Sequence, residues 1–375
     1  MPTMPTPRWT PLHDRLHQTI RHRGLFAKGQ SILVAVSGGQ DSLCLARLLL
    51  DLQPKWHWRL AIAHCNHRWA VDSPDLPGHV EAIAEDWNLP FHLITAPDDV
   101  AEDSREAIAR NWRYQALSTL AIAHQFDCVT TGHTASDRAE TLLYNLMRGS
   151  GIEGLSALGW SRPLTPDITL VRPMLTISRA ETGNFCQQFA LPVWDDPANT
   201  DLRYARNRIR SEVLPYLAQH FNPNVEQTLA TTVEVLQADA DYLESEADRL
   251  FQQVVEEHGP DSLPVKDSRV KNQLEKNQSK DRNSFEKIGD HVGAIAPVLR
   301  IQRRILGQQA LSLQRRVMRK CLLKLLPKAP TFEHIEKLSD LIHAPNRSQT
   351  DPFPGGAIAR VKGDWIEFFT TRTNS

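Results

Sequence analysis

The residues with the clearest chemical capacity form a six-residue loop, Ser37-Gly38-Gly39-Gln40-Asp41-Ser42, set between an apolar run and a helical one. Paired glycines let a backbone turn sharply and come close to a ligand. The first amides of the helix that follows have no internal partner and sit at the positive end of its dipole, so they bind anions. Ser37 and Ser42 add hydroxyl donors. Asp41 cannot itself hold a phosphate, but a carboxylate there suits a magnesium ion that carries phosphate charge. The lysine of the loop GxxxxGK[ST] is missing, and so is the dinucleotide pattern GxGxxG. The plainer alternative is a glycine turn whose Asp41 only complements the helix dipole.

Four further groups invite chemistry. In ARNWRY, Arg110 and Arg113 are three apart and share a helical face beside Tyr114. A guanidinium from that face can steady phosphate charge during a displacement, or simply be solvated or paired with Glu106. In GHTASDRAET (Gly132–Thr141), Asp137 and Glu140 project from one face of a helix start. They can bind magnesium, recognise a cation or deprotonate an amine; equally, they can serve a helix N-terminus capped by Thr134 or Ser136. His64, Asn66 and His67 stand at another strand end, and Gly132 and His133 at a third. No third ligand with sensible metal spacing is visible, so hydrogen bonding to a nucleotide or to backbone is the expected role. Finally, Arg203, Arg206, Arg208 and Arg210 make a dense basic patch with Tyr204 interleaved, suited to a nucleic-acid backbone. Its structural alternative is a helix whose arginines pair with Asp195, Asp196 and Asp201.

The elements that must position these groups read as an α/β fold. Strand-like and helix-like segments alternate through the first half: Ile32–Val36, Arg59–His67, Phe91–Thr95, Asp127–Thr131 and Leu170–Leu175 as strands. Between them fall helices at Val80–Trp87, Ser104–His124, Ser136–Arg148 and, last, Arg179–Phe189. Such alternation implies an open parallel sheet, whose ligands sit beyond the carboxyl ends of the strands. The loop at Ser37, the His64–His67 turn and the Gly132–His133 turn all belong to that edge. The expected organisation is a helical extension over 1–30, an α/β domain over 31–215 and a smaller, mainly helical domain over 216–375. In the latter, Val225–Glu257 reads as one long helix or a broken pair, Thr331–His343 as a helix and the tail GGAIARVKGDWIEFF as a hairpin. Residues 263–290 read as a disordered insertion.

Composition narrows the class. The chain has 375 residues and a formal net charge of −1, so any nucleic-acid surface must come from local clustering. One such cluster runs from Arg300 to Lys328 without a carboxylate in the stretch. The five cysteines are scattered and contain no CxxC pair, which argues for a reducing cytoplasm and against a zinc or iron–sulfur site. No apolar run reaches membrane length, and no protein partner is implied.

Taken together, SGGQDS resembles the PP-loop of the N-type ATP pyrophosphatases, which cleave ATP between the α and β phosphates. SGGQDS, HCNHRWA, ARNWRY, GHTASDRAETLLYNLMRGSG, RPML and DPANTDLRYARNRIR also occur in the order and spacing of the tRNA(Ile)-lysidine synthetases. The resemblance covers roughly Ser31 to Pro215 in detail. It implies ATP held by Ser37–Ser42, Asp41 working with magnesium, and Arg113, Asp137 and Glu140 in activation and lysine handling. It also implies a CAU-anticodon isoleucine tRNA and L-lysine as partners, and lysidine as the product. The sequence departs from the family's GHHxDDQAET at Thr134 and Ser136, and from HxNHxLR at Trp69 and Ala70. The Arg300–Lys328 stretch would then help grip tRNA. The rival readings are a PP-loop tRNA thiolase, which generally needs a catalytic cysteine or a CxxC pair, and a non-catalytic tRNA-binding module.

Overall fold

The computed structural model describes residues 9–68, 75–98, 106–194, 201–257 and 298–370. The expected insertion at 263–290 lies outside the described residues, as do Trp69, Ala70, Asp195 and Asp196. The chain forms two compact units, residues 1–238 and 239–375. The division falls within a long helix, beyond the change of character read at 215/216.

The first unit is built on a six-stranded sheet in the order β3-β2-β1-β4-β6-β5. Its strands are β1 (Ser31–Ala35), β2 (Arg59–Asn66), β3 (Phe91–Thr95), β4 (Cys128–Thr131), β5 (Ser161–Pro163) and β6 (Thr169–Val171). All pairings are parallel except that of β5 with β6. Helices α1 (Pro11–Arg23), α2 (Gln40–Trp56), α3 (Leu76–Asp86), α4 (Glu106–Ala123), α5 (Ala135–Met147) and α6 (Arg179–Gln188) accompany it. Consecutive residues of β1 point to opposite faces, and all three of Ile32, Leu33 and Val34 are buried, so both faces must be covered. Ile32 and Val34 pack with Leu48 and Leu52 of α2 and Val80 of α3; Leu33 packs on the other side with Leu117 and Ala121 of α4. Each such buried aliphatic side chain stabilises the unit by roughly 1.5–3 kcal/mol.

Two element boundaries differ from expectation for clear reasons. The strand read over Leu170–Leu175 ends at Val171, because Pro173 cannot donate to a ladder and the chain turns there. The run read as helix through Glu257 is helical over Val225–Val254 (α7), and Val255–Glu257 forms strand β7.

The second unit combines helices with an antiparallel sheet in the order β7-β8-β10-β9. The strands are β7 (Val255–Glu257), β8 (Leu299–Gln302), β9 (Ala357–Lys362) and β10 (Trp365–Thr370). The tail hairpin read from sequence is β9–β10, and β8 and β7 extend it. Helices α8 (Leu311–Leu325) and α9 (Phe332–Ser339) contribute Val317, Met318, Leu322 and Leu338 to its core. The basic stretch of this unit is largely neutralised by carboxylates distant in sequence. Arg315 is held bidentately by Glu336 at 2.7 Å, Arg316 by Glu244 at 3.0 Å and Arg304 by Asp364 at 2.6 Å. Lys320 pairs with Asp248 at 2.8 Å and Lys324 with Glu257 at 2.6 Å. Among the described residues no helix is long and apolar enough to cross a membrane.

Candidate active site

Strand β1 feeds α2 through the Ser37–Ser42 loop, and the loop is held by its own hydroxyls. The Ser37 amide donates to Ser42 Oγ at 3.1 Å, and Ser42 Oγ donates to the Gly39 carbonyl at 2.9 Å. Gly38 has φ +89°, and a Cβ there would lie 2.7 Å from Leu76 Cδ1. Only glycine satisfies both conditions. Gly39 caps α2 without any side-chain hydrogen bond, so no capping side chain occupies the first amides of the helix. Behind the loop, buried His64 donates from Nδ1 to the Val36 carbonyl at 2.8 Å, fixing the residue where the strand ends. Burial lowers the His64 pKa, which suits a neutral ring.

The next strand along the edge comes flush against this loop. A Cβ on Gly132, just after β4, would fall 2.7 Å from the Asp41 carbonyl oxygen and 3.0 Å from Ser42 Cα. The absence of a side chain at Gly132 thus lets the β4–α5 turn and the start of α2 share one edge. Thr134 caps α5: its amide and hydroxyl donate to Asp137 Oδ2 at 2.7 and 2.8 Å. The capping alternative for Asp137 therefore holds for one of its oxygens. The other, Oδ1, lies 3.7 Å from Arg210.

Glu140 is 2% exposed and accepts a bidentate pair from Arg210, Nε at 2.6 Å and Nη2 at 2.9 Å. Burial pushes the Glu140 carboxyl up while Arg210 pulls it back; the net direction is up. Asp41 behaves alike: burial raises it, and Arg179 at 3.1 Å and the Thr182 hydroxyl oppose the rise. The edge thus carries two carboxylate–guanidinium groups, Asp41 with Arg179, and Asp137 and Glu140 with Arg210.

Arg113 donates from Nε and Nη2 to His67 Nε2 at 3.0 and 2.9 Å. Since a guanidinium only donates, His67 must accept there and be neutral. Burial first, and then the Arg113 charge, push His67 down to about 4. Burial pushes His133 down, against Asp137, and its Nδ1 lies 2.8 Å from the Thr131 hydroxyl. Asn66 Oδ1 accepts from the Arg68 amide at 2.9 Å, a local turn.

The basic patch divides. Arg203 is exposed and pairs with Asp201 at 2.7 Å, and Arg208 donates to the Leu202 carbonyl at 2.7 Å. Arg206 has intramolecular contacts of its own. Arg210 does not belong to a surface patch: its guanidinium is taken by Glu140, because the helical path from Ala205 through a π-turn at Ile209–Val213 points it inward. Sequence reading missed Arg179 and Thr182, which address Asp41, and Gln40, read as a loop residue, also donates to Thr182 at 3.0 Å. Their signal was the Ser178–Glu181 capping box, which places the α6 start at the edge. Of the departures, Ser136 accepts from the Arg179 amide at 3.1 Å and donates to Glu226 at 2.5 Å, a bridging hydroxyl where the resemblance leads one to expect a carboxylate.

The parallel sheet and its loop define a PP-loop, ATP-utilising domain, and the matching family model agrees: a PP-loop domain over residues 10–217. A U34-tRNA thiolase from Methanococcus maripaludis has the same fold, at TM-score 0.50 and 15% identity over 60% of this chain and 78% of that one. A TilS substrate binding domain matches residues 303–364. The tRNA(Ile)-lysidine synthase of a Nostoc species is 54% identical over 96% of both chains. That of a Synechocystis species is 45% identical over 96% of this chain and 98% of its own. The chain belongs to the tRNA(Ile)-lysidine synthase family, and it is an enzyme of the ligase type.

Proposed function

We propose that this chain joins L-lysine to carbon 2 of the wobble cytidine of the CAU-anticodon isoleucine tRNA, at the expense of ATP, in the cytoplasm. The observation that carries the reading is the junction at Gly132, where a loop suited to phosphate and a pair of carboxylates suited to an amine share one strand edge. In the first step the cytosine O2 attacks the α-phosphorus of ATP. The O2–P bond forms, the bond to the β-phosphate oxygen breaks, and pyrophosphate leaves. In the second step the lysine ε-amine forms a bond to C2 and the C2–O2 bond breaks, so that AMP departs with that oxygen. The amine must first lose a proton, which a carboxylate at this edge or water accepts.

The chain's residues divide this work. Ser37–Ser42 receive the triphosphate on the amides of α2. Arg113, aligned by neutral His67, steadies charge on the α-phosphate. Asp137 and Glu140 receive the lysine side chain. Arg210 now rests on Glu140, so the incoming ammonium either shares that carboxylate or displaces the guanidinium. Asp41 is the magnesium residue in this reading. Among the described residues no cluster of three or more metal-ligating side chains occurs, so the donor set fits a metal that arrives on the triphosphate and takes one or two carboxylates. Magnesium supplies charge neutralisation on the phosphates when bound. Arg203, Arg206 and Arg208, with the 216–375 domain, are the proposed tRNA contacts, which leaves Arg210 to the active site. A thiolase reading has less support: Cys65, at the end of β2, has a thiol pushed up to about 11 by burial, the wrong direction for a sulfur carrier.

The test is transfer of labelled lysine into a CAU-anticodon isoleucine tRNA transcript with ATP and magnesium. Label should reach acid-precipitable RNA with the wild type and be lost with Asp41→Ala. Pyrophosphate release without lysine transfer would move the reading to the thiolase class.

A further inference from the structure

A second set of charged side chains lies at the carboxyl end of the sheet and has no part in the steps above. Arg172 follows β6 directly and is 1% exposed. Its Nη1 donates to the Gly159 carbonyl at 2.9 Å, and its guanidinium meets the Tyr114 phenol. Its buried Nε has no hydrogen-bond partner among the described residues. Two more guanidiniums lie over the Tyr114 ring, Arg162 at 4.6 Å from the ring centre and Arg110 at 5.1 Å.

Among the described residues no carboxylate forms an ion pair with Arg110, Arg162 or Arg172, although the same unit pairs Arg138, Arg179 and Arg210 with acids. Packing three like charges around one phenol raises the free energy of the protein alone, and a bound anion lowers it again. A groove of about 350 Å³ runs beside the ring, lined by Asn111, Tyr114, Gln115, Arg162 and Thr165 among others; Arg162 is the cation in its wall, while Arg110 and Arg172 reach Tyr114 from outside that lining. Burial raises the Tyr114 pKa, but Arg110, Arg172 and Arg162 reverse the sign, which marks the positive potential there.

We propose that Arg110, Arg162 and Tyr114, backed by buried Arg172, form a phosphate-binding subsite for a backbone phosphate of the RNA substrate. The assignment rests on the RNA-modifying reading of the chain. ATP phosphates have the same chemistry, but their cradle is at the end of β1, and Arg172 follows β6, two places along the sheet. With neighbouring strands about 4.8 Å apart, the two strand ends lie roughly 10 Å from one another.

The experiment measures tRNA binding by fluorescence anisotropy between low and moderate potassium chloride, and ATP binding by equilibrium dialysis, on the full chain. Arg162 is exposed, so Arg162→Ala leaves the core intact; Arg110→Ala repeats the test from the other side of the ring. Each substitution should weaken tRNA binding about 5- to 10-fold at low salt and flatten the salt slope by about one unit, equally for a tRNA of another anticodon. ATP affinity should stay unchanged. Lost ATP affinity with intact tRNA binding would overturn the RNA assignment in favour of the triphosphate. No change in either would overturn the subsite. Lysine transfer by the wild type is scored separately: a protein that shows these binding losses but transfers no lysine keeps the subsite and loses the lysidine reading.

Discussion

The arginines around Tyr114 and those of the second unit differ in their partners. Arg304, Arg315 and Arg316 each meet a carboxylate within 3.0 Å, whereas Arg110, Arg162 and Arg172 meet none among the described residues. The sequence suggests the reverse, since the 300–328 stretch has no acid in it and Arg110 has Glu106 one turn away. Charge density along a chain is thus a poor guide to the field of the folded protein. Glu244 and Asp248 reach Arg316 and Lys320 across more than seventy residues of sequence. The electrostatic footprint of this enzyme is defined by what the fold leaves unpaired.

The largest effect is expected where a pair is buried. Arg210→Ala strands the Glu140 charge in a site that is 2% exposed, and should destabilise the first unit by about 3–5 kcal/mol, read as a lowered midpoint in urea. Adding Glu140→Gln to that variant should return part of the loss, because the stranded charge is then gone. If the double variant is no more stable than the single, Arg210 stabilises by packing and the ion pair is incidental. At the other end of the scale are the paired cations of the second unit. Arg304→Ala and Arg315→Ala should each change tRNA affinity by less than about two-fold, since exposed pairs already balance the local charge. A ten-fold loss at either would show that these pairs open to meet RNA, and would erase the contrast between the two regions.

Much of the site was legible because the local rules are strict. A glycine loop between strand and helix can be read from Ser37 to Ser42, and its position at a strand end follows from alternation alone. A helix start capped by Thr134 or Ser136 was also legible, and the fold selects Thr134, with Asp137 completing the box. What could not be read were contacts between residues distant in sequence. Arg179 reaches Asp41 from 138 residues away, and Arg210 reaches Glu140 from 70. Four arginines in eight residues look like one patch, yet a π-turn rotates the last of them inward. Arg172 lay within the quoted RPML motif without a role, because only the fold brings Tyr114 and Arg162 around it.

The most direct test of the account is a labelling experiment with ATP carrying ³²P at the α position, a CAU-anticodon isoleucine tRNA transcript, and no lysine. Rapid quenching should find label bound to the RNA at the wobble cytidine, and added lysine should chase it into free AMP. Lysine entering the RNA while no α-phosphate label is ever found on it would contradict activation of the base by adenylation.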